Sequence, residues 1–158
     1  MAPPDVLVVW IDGTIGWGAA ARELVGSLER AGAQVTTAST GPVPLVRTFA
    51  LTDLVQARAA RRVAARAIAD QRPGAVIYCS ITAALLWPWP GAIWADTIAA
   101  ENRPGRHGVW QRRVERGKLS QAPLLLAMSH RSFEPLSPPP TPPVAVVPTP
   151  VEPSGPAG

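Results

Sequence analysis

The chain has 158 residues, 47% of them hydrophobic and only 16% charged, so it has the length of one domain and enough apolar material to bury a core. Its formal charge of +4 is unevenly placed: residues 1–98 hold eight Arg against seven acids, whereas residues 99–134 hold six Arg and one Lys against three Glu. A local excess of this kind predicts an anionic group bound at one segment and argues against general nucleic-acid binding.

VLVVW (6–10) is a continuous apolar run, the pattern of a central parallel strand covered on both faces. The loop IDGTIGWG follows, then a helix expected over about 19–31, with Ala20, Leu24, Leu28 and Ala31 on one face and Gly32 as its stop. QVTTAS (34–39) reads as a second strand and GPVPLVRT (41–48) as a connection. Thr52 is placed to cap a long helix from about Asp53 to Asp70, which RPG (72–74) ends. AVIYCS (75–80) is the third strand, TAALLW (82–87) a short helix and AIWAD (92–96) the fourth strand. Residues 97–107 read as a polar loop, 109–120 as a helix with Trp110 and Val114 on its buried side, and PLLLAMS (123–129) as another strand. A helical turn is expected over 130–136, a polyproline-type stretch over 137–143 and a last strand at VAVV (144–147). This alternation predicts an α/β, Rossmann-like three-layer domain with a mainly parallel sheet. The domain is expected over 1–136. Ten of the nineteen prolines lie beyond residue 134, and residues 137–158 are expected to hold a Pro-rich segment, the last strand and the start of a linker to a further domain.

Cys79 is the single cysteine, so no internal disulfide is possible and a reducing, cytosolic setting is expected. MAPPDVLVVW lacks the basic start and long apolar core of a leader peptide, and AALLWPWPGAIWA is too short and too rich in proline to span a bilayer.

Several segments have the residue types for chemistry. Gly13, Gly16 and Gly18, between a strand and a helix, allow close backbone approach; the unit either cradles a phosphate or is a plain βα turn. Their spacing, G-x-x-G-x-G, is not the dinucleotide fingerprint, and Ser39 and Thr40 stand where a ribose-binding acid would end the second strand, so NAD is not expected. Arg58, Arg62 and Arg66 share one helix face, read as solvated rather than as a membrane stripe because the opposite face is mostly alanine. Asp96 closes the fourth strand, where a carboxylate can orient a sugar hydroxyl, act as a base or simply cap a loop. In 101–118, Glu101, Asn102, Arg103, Arg106 and His107 are the candidate anion-binding loop residues, while Arg112 and Arg116 are assigned to a solvated helix face. His107 and His130 have no neighbouring ligand residues, so no metal site is expected. There is no G-x-S-x-G elbow and no P-loop. The strand ends are expected to bring the 13–18 loop, Ser80, Asp96 and the 101–107 loop to one cleft.

Four segments, in this order, carry a resemblance: IDGTIGWGAAARELVGSLERAGAQVT, RPGAVIYCSITAALLW, GVWQRRVERGKLSQAPLLLAMSHRS and VAVVPTPVEP. The chain resembles the N-terminal, acceptor-binding half of a GT-B glycosyltransferase of the large retaining family four. The resemblance implies sugar transfer from a nucleotide-diphosphate sugar, with no further cofactor, to a sugar or glycolipid acceptor. It implies that the donor is held mainly by a second, C-terminal domain, so that this half is inactive alone, and that the setting is the cytoplasm, at times the inner face of the membrane. It places Gly13–Gly18 near the donor phosphates, Asp96 near the reacting sugar and Ser129 at the end of a strand before a short helix. Thr149-Pro150 stand where that family commonly has Asn-Gly at the interdomain crossover. The competing class is a stand-alone Rossmann-like binding module or partner subunit.

Overall fold

The computed structural model describes residues 2–13 and 16–150. Six strands, β1 (Val6–Asp12), β2 (Val35–Pro42), β3 (Ala75–Tyr78), β4 (Ala92–Ala95), β5 (Leu125–Ala127) and β6 (Val144–Val146), form one sheet in the order β2-β1-β3-β4-β5-β6. Every neighbouring pair is parallel. The helices are α1 (Trp17–Arg30), α2 (Phe49–Gln71), α3 (Ile81–Ala84), α4 (Ala99–Asn102) and α5 (Val109–Gln121), with a 3-10 turn at Arg106–Gly108. The expected Rossmann-like three-layer α/β fold is thus the observed one.

The unbroken apolar strands are explained by two cores. Leu7, Val9, Tyr78, Ile93 and Leu125 point to one side, onto Ala60, Ala64 and Ala67 of α2 and Leu119 of α5. Val8, Trp10, Cys79, Trp94 and Leu126 point to the other, onto Ala21 and Leu24 of α1. Successive side chains alternate faces, so a strand covered twice has no polar position to spare. The alanine stripe of α2 lets a 23-residue helix lie close against the sheet.

Several boundaries differ from those read in the sequence. α2 begins at Phe49, four residues before Asp53, because Thr48 rather than Thr52 caps it: the Thr48 hydroxyl accepts from the Leu51 N–H at 3.2 Å. Thr52 is buried and instead accepts from the Val46 N–H at 3.1 Å. Asp53 is thereby carried into the helix interior, 3% exposed. The helix ends at Arg72, which takes the left-handed conformation, φ 51°. The expected loop 97–107 contains α4 and the start of the 3-10 turn. The strand read as 123–129 is only Leu125–Ala127. Its neighbour β6 is equally short because Pro143 and Pro148, lacking N–H groups, bracket it.

α5 turns a different face inward from the one its hydrophobicity suggested. Gln111, Glu115 and Leu119 are buried, whereas Trp110 and Val114 are half-buried. The segment after the proline stretch belongs to the sheet: β6 pairs with β5, and the Trp94 Nε1–H donates to the Val147 carbonyl at 2.7 Å. The crossover residues beyond Pro150 lie outside the described residues. Among the described residues no helix is long and apolar enough to cross a membrane, and no group of His, Cys, Asp or Glu is placed to hold a metal ion.

Candidate functional site

The chain order of the strands reverses between β1 and β3. α1 leaves β1 toward one face of the sheet and α3 leaves β3 toward the other, since Ala21 and Ala83 lie in opposite cores. Diverging helices leave a crevice outside the strand ends, the usual ligand position in open parallel sheets. A cleft of about 330 Å³ lies there. Gly13 comes to it from the end of β1, Ser80 from the end of β3 and Asp96 from one residue beyond β4. Asn102 and Arg103, from α4 and its end, complete the set.

These groups differ in readiness. Asp96 is exposed and has no hydrogen-bond or ion-pair partner among the described residues. Ser80 is the N-cap of α3: its hydroxyl accepts from the Ala83 N–H at 3.0 Å and keeps its own proton to donate. Cys79 also reaches the cleft, but burial pushes its thiol up to about 12, so it is not a nucleophile at neutral pH.

Arg103 is held rather than free. Its Nε and Nη2 donate to the two oxygens of Asp53 at 2.7 and 3.0 Å, and Nη1 donates to the Asn102 carbonyl at 3.0 Å. Hydrogen bonding to Asp53 raises the Arg103 pKa, against a smaller lowering by desolvation. The guanidinium also lies over the Phe49 ring, 5.1 Å from its centroid. Gln111 Nε2 adds a third hydrogen bond to Asp53 at 3.2 Å, while Gln111 Oε1 has no partner among the described residues. Behind this network Glu115 accepts the Ala99 N–H at 2.7 Å and so caps α4 from below. Burial pushes its carboxyl up to about 7, with the Ala99 hydrogen bond pulling the other way.

Among the described side chains, the other candidates do not line the cleft. Gly16 is the N-cap of α1. Gly18 is buried because Asp12 needs the space: a Cβ there would sit 2.7 Å from Asp12 Oδ1. The Asp12 carboxylate also accepts from the Ser39 hydroxyl at 2.8 Å, so the first turn of α1 faces a carboxylate of its own chain. Of the three glycines only Gly13 lines the cleft. Glu101 accepts from the Thr97 hydroxyl at 2.9 Å on the exposed side of α4. Arg106 is exposed at the start of the 3-10 turn, and the side chain of His107 lies outside the described atoms. Ser129 forms a turn with Ser132, whose hydroxyl accepts the Ser129 N–H at 3.0 Å.

Arg112 is not on a solvated face. Its guanidinium donates to the Arg103 carbonyl and, at 2.8 Å, to the Gly105 carbonyl, clamping the loop that bears Arg103. Arg116 is exposed, as are Arg58, Arg62 and Arg66.

Sequence reasoning missed much of the cleft wall, including Trp17, Leu45, Phe49, Asp53, Gln56 and Thr97. An acid inside an Ala/Arg helix was the available signal for Asp53, but its partner lies fifty residues away. No protein-family model matches this chain, and no curated protein matches it significantly.

Proposed function

We propose that this chain is the acceptor-binding domain of a two-domain retaining glycosyltransferase of GT-B type, with a nucleotide-diphosphate sugar as donor of the intact enzyme. The observation that carries the reading is Asp96: an exposed, unpartnered carboxylate at a strand end, on a cleft at the reversal of strand order. A carboxylate so placed can accept a hydrogen bond from a sugar hydroxyl and hold it for attack, with the Ser80 hydroxyl lining the same cleft. The order of segments resembling that family supports it. Gly13 is the one loop glycine left to approach a donor phosphate, and Arg103 keeps donor hydrogens beyond those it gives to Asp53.

The chain by itself catalyses no transfer in this reading, because groups to stabilise a leaving diphosphate belong to a second domain. The second reading is a stand-alone binding module, favoured by the fact that the cleft is walled by this chain's own residues. Calorimetric titration of the purified chain with a panel of hexosides tests the proposal. Saturable binding that Asp96→Asn weakens tenfold or more, and that Arg66→Ala leaves unchanged, is expected. Tight binding of nucleoside diphosphates with no hexoside binding, or glycosyl transfer by this chain alone at ordinary enzymatic rates, overturns it.

A further inference from the structure

The cleft lining combines polar and apolar groups. The ends of β3 and β4 and α4 supply the polar Ser80, Asp96, Thr97, Asn102 and Arg103. The end of β1, the start of α1, the β2–α2 connection and the start of α2 supply the apolar Ile11, Trp17, Leu45 and Phe49, alongside Thr52, Asp53 and Gln56 of α2. Leu45 is 80% exposed and Phe49 75%. Eight large hydrophobic residues are exposed among the described residues, and four of them, Leu45, Val46, Phe49 and Leu51, fall within 45–51. Large apolar side chains clustered in water at the mouth of a cleft mark a contact surface.

This lip is built, not merely left over. Thr48 caps α2 between Leu45 and Phe49, and Thr52 holds the Val46 N–H, so the connection has a fixed path. Arg103, itself locked by Asp53, covers one side of Phe49 and leaves the ring mostly open. The volume, about 330 Å³, is at the low end for small-molecule sites and suits one head group with a short apolar arm.

We infer that the ligand of this cleft is an amphiphile: a hydroxyl-bearing head at Asp96 and Ser80, joined to an alkyl or aryl group that lies along Trp17, Leu45 and Phe49. The assignment of a sugar head rests on the acceptor reading above; the apolar arm rests on the lip alone.

The test is displacement of anilinonaphthalene sulfonate from the full chain by n-alkyl glucosides of increasing length, each below its micelle concentration, with phenyl glucoside to separate aryl from alkyl preference. Displacement should tighten roughly twofold per methylene, as for a chain buried on one side only. Leu45→Ser and Phe49→Ser, both at exposed positions that the fold tolerates, should each weaken octyl glucoside roughly fivefold. Trp89→Ser, an exposed aromatic before β4 at the other end of the sheet, should change nothing. No gain with chain length, no effect of the two lip variants, or no displacement at all overturns the inference. Methyl hexosides that displace the dye with no gain from longer chains leave the acceptor reading standing and remove the lip. Octanol that displaces as well as every octyl hexoside, with Asp96→Asn silent, leaves the lip standing and removes the acceptor reading.

Discussion

Arg103 and Asp53 lie fifty residues apart in the chain and meet as a two-pronged ion pair, Nε to Oδ2 at 2.7 Å and Nη2 to Oδ1 at 3.0 Å. The Asp53 side chain is 5% exposed and that of Arg103 24%, so the pair is largely withdrawn from water. It joins the first turns of α2 to the end of α4 and thereby sets one corner of the cleft.

Arg103→Ala leaves a buried carboxylate with only Gln111 as donor. It should cost about 3 kcal/mol, the lower end for a broken buried pair because Arg103 keeps some contact with water. Asp53→Ala should cost a similar amount, and the double variant no more than the worse single one, since both remove the same interaction. Urea denaturation of the three variants measures this; additive losses would show that the two side chains act independently.

Arg112→Ala removes two charge-assisted hydrogen bonds to loop carbonyls, those of Arg103 and Gly105. Because the loop is partly exposed, water recovers some of the loss, and about 1–2 kcal/mol is expected. Amide hydrogen exchange should accelerate over 103–108 and stay unchanged in α2. Hexoside binding should weaken as well, which reverses the expectation that this arginine is a solvated bystander.

Glu115 predicts a pH effect with a definite sign. Its carboxyl is raised to about 7 in the folded chain, above its ordinary value of 4.5. Between those values the folded state holds more protons than the unfolded one, so this group's contribution to stability is lost as pH rises and is gone above about 7. The full span is on the order of 3 kcal/mol. Glu115→Gln keeps an acceptor for the Ala99 N–H and abolishes the titration. The variant should match the native chain at pH near 4 and exceed it at pH near 8 in urea midpoints. A constant difference across that range would assign the destabilisation to something other than Glu115.

Gly91→Ala should be strongly destabilising. A Cβ at Gly91 would sit 2.5 Å from the Val76 carbonyl oxygen and 2.9 Å from the Tyr78 ring. The first of these is backbone inside β3, so relief requires prising β3 from β4. A loss of about 3 kcal/mol is expected in thermal or urea unfolding. A near-neutral effect would mean that the entry to β4 yields more easily than its pairing suggests.

The layer order of this protein was legible in its sequence because burial on two faces forces an apolar residue at every strand position. VLVVW, AVIYC, AIWA and LLLAM, short and apolar without alternation, read as central strands, and glycine and proline marked most of the breaks between them. Parallel strands in turn fixed which end of the sheet carries the cleft, so Gly13, Ser80, Asp96, Asn102 and Arg103 could be named in advance. Contacts between distant segments were not legible. Nothing local to Asp53 indicates that an arginine from α4 will reach it. Nothing local to α5 indicates that Gln111 and Glu115 turn inward to serve Asp53 and the Ala99 N–H, while Trp110 stays half-buried. A polar residue's orientation depends on which partner the folded chain brings within hydrogen-bonding distance, and that partner is chosen by the packing of the whole molecule. For the same reason the sequence left Gly18 open between a phosphate cradle and a plain βα turn, and only the tertiary structure shows the Asp12 carboxylate lying where its side chain would have been.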